Sequence, residues 1–243
     1  QVSQFKKRNP NQTFTFGLIA VLALVIGYAV YNKTPNSTSS ELIGIRELPP
    51  SFKSHGIDIS RYQGEIDWST FFDEANAKIS FVYCKATEGV SLVDAKYASN
   101  RSKLREYNKA FGVYHFFRPK LDAESQAKHF LSNYTPRGNE LPPVLDVETK
   151  SVSDTKLMSG MKVWLELVEK KTGKRPVIYT SYHFYNTKFK NHFKNYQFWI
   201  ANYSRRSERM TDDRIIHWQY SDRGGIPGIK GPVDLNFSKQ EFN

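Results

Sequence analysis

The sequence predicts an α/β protein, an irregular β/α barrel over residues 55–243, preceded by a transmembrane helix and a linker. Three observations predict it. Residues 14–31 form an apolar run of eighteen residues without a charge. From His55 onwards, short β-branched and aromatic runs alternate with helical stretches, and strand–helix–strand repetition implies right-handed crossovers and a parallel sheet. Eight strand candidates in roughly 190 residues favour closure into a barrel. The later ones lie too close together for a full helix each, so the barrel is expected to be irregular.

At the N-terminus, residues 1–13 carry Lys6, Lys7 and Arg8 and are expected as a short cytoplasmic tail. Residues 14–31, as a helix, would span about 27 Å, close to the hydrocarbon thickness of a bilayer. Phe14, Phe16, Tyr28 and Tyr31 sit near its ends as interfacial aromatics, and Lys33 follows. The positive-inside rule then places the N-terminus in the cytoplasm and the rest on the extracytoplasmic side, as a single-pass membrane protein. A cleaved signal peptide, which would leave the protein secreted, is a rival, although Ala29-Val30-Tyr31 is a poor cleavage site. A buried core helix is a second rival and fits badly with an apolar surface all round. Residues 32–54 contain Thr34-Pro35-Asn36-Ser37 and later Pro49-Pro50, the composition of a tether.

Within 55–243 the strand candidates are 55–60, 79–85, 111–117, 142–148, 176–180, 198–202, 214–220 and 233–237. The clearest helix is 154–172. Ser153 caps it, Leu157, Met161, Trp164, Leu165 and Val168 share one face, and Gly173 ends it. Further helices are expected near 67–76, 94–109 and 122–134, the last opening at Asp122.

Composition narrows the function classes. Hydrophobic residues at 39% and aromatics at 14% suffice for a full core. The single cysteine, Cys84, has no internal disulfide partner and reads as a small buried hydrophobe. There is no zinc-ligand spacing, and no metal or cofactor is expected. The net charge is +11, and the first forty residues hold four basic and no acidic groups, leaving +7 on the remainder. That suggests an anionic partner: nucleic acid, an acidic lipid surface or an anionic wall polymer. No arginine-rich tract or nucleic-acid motif occurs in the folded part, so nucleic acid is set aside. A solvated basic surface accounts for the charge equally well.

The sharpest local feature is Leu141-Pro-Pro-Val-Leu-Asp146-Val-Glu148. On a strand, residues two apart share a face, so Asp146 and Glu148 project together. Two carboxylates side by side repel, and at least one pKa must rise, which is how a proton donor for a glycosidic leaving oxygen stays protonated. Asp58 in His55-Gly-Ile-Asp58-Ile-Ser60 and Asp234 in Pro232-Val-Asp234-Leu-Asn236 mark two further acidic strands. In a barrel, the C-terminal ends of different strands converge on one mouth. Aromatics recur at comparable places: Tyr62, Tyr114, Tyr179, Trp199, Trp218 and Tyr220. Tyrosine and tryptophan offer flat faces to sugar rings and polar handles to hydroxyl groups.

These motifs together resemble the glycoside hydrolase family 25 lysozymes, which are N-acetylmuramidases. The likeness runs from His55 to about Phe237 through GIDIS (56–60), YQGEIDW (62–68), KATEG (85–89), GVYHFF (112–117), PVLDVE (143–148), YTS (179–181), FWIANY (198–203), WQYS (218–221) and GIKGPVDLNF (228–237). The resemblance implies a flattened, TIM-like barrel that hydrolyses the β-1,4 bond between N-acetylmuramic acid and N-acetylglucosamine in peptidoglycan. It implies Glu148 as general acid/base, Asp146 as its partner on the same strand, and Asp58 and Asp234 as flanking acids. The Asp-x-Glu pair also resembles glycosidases that use the substrate's acetamido group, in which the first acid stabilises an oxazolinium. A carboxylate nucleophile is the open alternative. Two other functions compete: a non-catalytic glycan-binding module held near the wall, and a hydrolase with a metal on the acid cluster and His115.

Overall fold

In the computed structural model, which describes residues 42–242, eight strands close into a barrel. The strands are β1 (Ser54–Ile59), β2 (Ile79–Glu88), β3 (Leu92–Val93), β4 (Ala110–Phe116), β5 (Val144–Val147), β6 (Val177–Ser181), β7 (Phe198–Ala201), β8 (Ile215–Gly224) and β9 (Val233–Ser238). The ring runs β1-β9-β8-β7-β6-β5-β4-β2 and closes from β2 back to β1, while the two-residue β3 hangs on the end of β2. Neighbours from β1 through β8 in this ring are parallel, but β9 runs antiparallel to both β8 and β1. The uniformly parallel sheet expected from the sequence is corrected here. No helix separates β8 from β9, and without a crossover the chain returns by reversing direction.

Five helical segments pack around the barrel: α1 (Trp68–Thr70, continued by a π turn at Phe71–Ala75), α2 (Tyr97–Glu106), α3 (Ala123–Asn133), α4 (Asp154–Thr172) and α5 (Tyr182–Phe184, continued by a π turn at Tyr185–Phe189). Local chemistry sets their ends. Asp122 accepts from the Ser125 amide at 2.7 Å and Ser153 from the Lys156 amide at 3.3 Å, each satisfying an orphan donor of its first turn. Gly173 closes α4 with φ of 68°, a left-handed conformation that favours glycine. The stripe Leu157, Met161, Trp164, Leu165 and Val168 is buried, as its spacing predicts.

Alternation along each strand sorts side chains into two apolar layers. One fills the barrel with Phe81, Tyr83, Val144, Val177, Tyr179, Trp199 and Ile216. The larger layer lies on the other face of the strands, where α4 and the other helices bury their stripes. Cys84 belongs to that outer layer, with burial pushing its thiol up to about 12. His115 is there too, stacked on Trp164 with centroids 5.5 Å apart and hydrogen-bonded through Nδ1 to Thr87 at 2.7 Å.

The part of the tether that is described lies on the barrel. Ile43 and Gly225 exchange backbone hydrogen bonds of 2.8 and 3.0 Å, and Phe52 is buried against Trp218 and Phe237. The folded unit therefore starts before residue 55. Among the described residues no helix is long and apolar enough to cross a membrane. The tail, the membrane helix and the first part of the linker expected at 1–13, 14–31 and 32–41 lie outside the described residues.

Two glycines let large rings fill the barrel. A Cβ on Gly112 would stand 2.2 Å from the Tyr83 ring, and one on Gly56 would stand 2.4 Å from the Phe81 ring. Tyr83 in turn packs 5.1 Å from Trp199. Gly112→Ala is expected to lower stability by about 1–3 kcal/mol, the usual cost of overpacking. Thermal unfolding checks this, and an unchanged midpoint would mean that the ring has room to swing away.

Candidate active site

The barrel brings the four sequence-nominated acids to one end. Asp58 lies near the end of β1, Asp146 near the end of β5, and Glu148 just past β5. Asp234 is the second residue of β9, yet it reaches the same end because β9 runs backwards and pairs Asp234 directly with Asp58. Convergence of C-terminal strand ends thus explains three of the acids, and strand reversal explains the fourth. All four line a depression of about 330 Å³ together with Tyr114, Val144, Tyr179, Trp199 and Gln219.

Of the six aromatics proposed as sugar contacts, Tyr114, Tyr179 and Trp199 line this depression. Tyr179 and Trp199 meet edge to face, 4.8 Å between centroids. Tyr62 stands in solvent on the short turn after β1, 76% exposed, with the Arg61 guanidinium 5.3 Å from its ring centre. Trp218 and Tyr220 are corrected: both are buried in the outer layer, with the Trp218 indole donating to the Asn202 carbonyl at 2.6 Å. Their neighbour Gln219 faces inward, because adjacent strand residues point to opposite faces. His115, the candidate metal ligand, is likewise on the outer face, away from the acids.

Hydrogen-bond directions favour the charged form of Asp58. An indole N–H only donates. Trp199 Nε1 donates to Asn236 Oδ1 at 2.8 Å, so the Asn236 amide nitrogen must face the other way, where it donates to Asp58 Oδ2 at 2.8 Å. Gln219 repeats the device: its Oε1 accepts from the Tyr179 and Tyr203 hydroxyls, both at 2.9 Å, and its Nε2 donates to the same Asp58 Oδ2 at 3.1 Å. Asp58 Oδ2 is thereby an acceptor for two donors, which favours the charged form. Asp234, across the ladder, holds a proton to higher pH than an ordinary carboxyl. Burial and then the Asp58 charge push it up to about 9. Asp58 itself is raised by burial and held down by Asn236, Gln219 and Asp234.

The second pair works differently. Asp146 is buried and pushed well above the usual carboxylate range, by burial first and by the Glu148 charge next. Its Oδ1 is buried with no protein partner. Glu148 stands at the exposed edge and is also raised, by desolvation first and, more weakly, by the Asp58 charge. Hydrogen bonding with Asp146 and the charge of Lys85 pull it the other way. The Asp146–Glu148 pair therefore holds a proton near neutral pH.

Lys85, Gln219 and Asn236 are the functional side chains that motif reading passed over. Each carried a signal. Lys85 continues the inward series Phe81, Tyr83, Lys85; it bonds Glu88 at 2.6 Å, and Glu88 in turn pairs with Arg118. Asn236 is two residues beyond Asp234 and so shares its face. Among the described residues, no group of three or more histidine, cysteine or acidic side chains is arranged to hold a metal ion.

Comparison with known proteins agrees with this geometry. The model of Glycosyl hydrolases family 25 matches residues 57–229. Lysozyme M1 of Streptomyces globisporus is 30% identical over 197 residues, covering 74% of this chain and 66% of its own. An uncharacterized protein of Escherichia coli O6:H1, YegX, is 36% identical over 239 residues, covering 90% of this chain and 88% of its own. The solved structure of a family 25 glycosyl hydrolase from Bacillus anthracis superposes with a TM-score of 0.71 at 28% identity, covering 80% of this chain and 93% of that one.

The proton on Asp234 makes stability depend on pH. Its folded value, about 9, lies above the ordinary value of 3.8, so the folded state binds more protons between these limits and loses stability as pH rises through them. Asp234→Asn removes that loss. Its melting temperature is expected to match the wild type near pH 4 and to exceed it at pH 8–9. A wild-type advantage at pH 8–9 would show that Asp234 is ionised in the folded protein.

Proposed function

The chain belongs to glycosyl hydrolases family 25, and on that premise we propose that it is a lysozyme-type muramidase that hydrolyses the β-1,4 bond between N-acetylmuramic acid and N-acetylglucosamine in peptidoglycan. The observation that carries the residue roles is the meeting of Asp58, Asp146, Glu148 and Asp234 in one depression walled by Tyr114, Tyr179 and Trp199. A non-catalytic glycan-binding module has no need of a proton-sharing acid pair beside two further acids.

Glu148 is the general acid. The Asp146–Glu148 pair keeps a proton available, and the exposed carboxyl of Glu148 is the member of the pair that reaches a leaving oxygen. As the bond from the anomeric carbon to that oxygen breaks, the acetamido oxygen of the same sugar bonds to the anomeric carbon and gives an oxazolinium. Asp146 Oδ1, buried and unpartnered, is the acceptor for the acetamido N–H. The Asp58 carboxylate, whose charged form Asn236 and Gln219 favour, lies where positive charge develops on the ring and lowers the barrier electrostatically. Glu148, now a carboxylate, takes a proton from the water that opens the oxazolinium, and configuration is retained.

Glu148→Gln is expected to leave the fold intact and to lower turnover of purified peptidoglycan by roughly 10²–10⁴-fold, the contribution of a positioned general acid. Mass analysis of wild-type products should find N-acetylmuramic acid at the reducing ends. De-N-acetylated glycan strands should turn over slowly with wild-type enzyme, and undiminished turnover would assign the nucleophile to a carboxylate.

We further propose that residues 14–31 anchor the protein in the cytoplasmic membrane with residues 42–242 on the extracytoplasmic side, where peptidoglycan lies. The uncharged run of eighteen residues, with three basic residues before it and Lys33 after it, supports this. External protease should remove the barrel domain from intact spheroplasts while a short membrane-bound fragment stays. A protected barrel would reverse the topology.

A further inference from the structure

Beyond Glu148 and Tyr179 the active-site depression adjoins a second, wider basin of about 1120 Å³. Glu148 and Tyr179 line both, so the acid stands on the divide. The two sides differ in charge. The first holds all four carboxylates and no lysine or arginine among its lining residues. The second is lined by neutral polar groups, including Asn186, Thr187 and Asn202, with Arg209 as its one arginine or lysine and Glu148 as its one carboxylate.

Arg209 is prepared for a ligand. It is half-buried on the short turn Ser207–Met210, with its guanidinium 5.0 Å from the ring centre of Tyr182, the first residue of α5. That stacking restrains the side chain without using its donors on a carboxylate. A guanidinium held in this way matches the two oxygens of a carboxylate.

This inference rests on the muramidase reading. The glycan is uncharged along its sugar backbone and acidic on the peptide-bearing arms of its muramyl residues. An acidic arm finds no lysine or arginine on the side that holds the four acids, and the neighbouring basin offers it a positive charge. We propose that the basin beyond Glu148 is a subsite for the acidic peptide arm of a muramyl residue next to the scissile bond, with Arg209 as its carboxylate-binding residue. Arg209 then acts on substrate choice: it selects peptide-bearing strands over bare polysaccharide, and leaves the chemical step to the acids.

The test compares wild type and Arg209→Gln on two preparations of the same solubilised glycan strands. In one the peptide carboxylates are free; in the other they are methyl-esterified. Arg209→Gln is expected to raise KM about tenfold on the free-acid strands, equivalent to ~1.4 kcal/mol, with kcat unchanged. On the esterified strands it should match the wild type. A third preparation, with peptides removed by an amidase, leaves the lactyl carboxylate as the sole acid of each arm. A KM effect as large there as on the free-acid strands would move the contact from the peptide to the lactyl group. An equal KM effect on free and esterified strands, or none on either, overturns the proposal. If the wild type releases no reducing ends from any preparation, the muramidase reading fails instead. Far-ultraviolet circular dichroism and melting temperature confirm that the variant is folded.

Discussion

The charge pattern of the mouth depends on a single donor, the indole N–H of Trp199. Because that group cannot accept, it fixes the orientation of the Asn236 amide, and the amide nitrogen is left facing Asp58. With Gln219 aimed at the same oxygen, these hydrogen bonds favour the charged form of Asp58 against the burial that opposes it. Its charge then acts outward, raising Asp234 across the ladder and Glu148 across the depression. An aromatic side chain that reads from sequence as a sugar platform is therefore also the residue that orients a donor toward Asp58. It is held in place by packing against Tyr83 and Tyr179.

Two carboxyl pairs at one mouth oppose folding, since each proton they retain reflects a charge that burial disfavours. The barrel tolerates this because its apolar work is done elsewhere. The outer layer between strands and helices buries Trp164, Phe130, Leu165 and their neighbours completely, and the far end of the barrel interior is filled by Phe81 packed 4.8 Å from Phe242. Active sites are commonly the places where local rules are broken and the surrounding structure compensates. Asp146 Oδ1, a buried acceptor with no protein donor on a residue that lines the depression, is such a breach.

Much of the fold was legible. Periodicity located every strand of the barrel, and α4 ended where Ser153 and Gly173 said it would, since capping is local chemistry. The missed element, α5, has three α-helical residues followed by a π turn, too short and irregular to leave a 3.6-residue pattern. The four acids were legible because each sits in a short apolar run. The inward amides Gln219 and Asn236 were legible by alternation alone, yet the eye goes to the aromatics beside Gln219. Trp218 and Tyr220 were misread for that reason: composition names a sugar-binding residue type, but the register of a strand decides which face it occupies.

Sequence alone determined the places of the barrel strands and of the capped helix 154–172, the acids and the family likeness, because hydrophobic alternation, capping and motif spacing are written in neighbouring residues. Tertiary structure decided three things. It set the direction of β9, which brings Asp234 to the mouth, since an extended run reads alike in either direction. It set the donors that favour the charged form of Asp58, since they come from other strands. It also placed Arg209 beside the acid, since a contact across the chain depends on how the barrel closes and no local spacing encodes it.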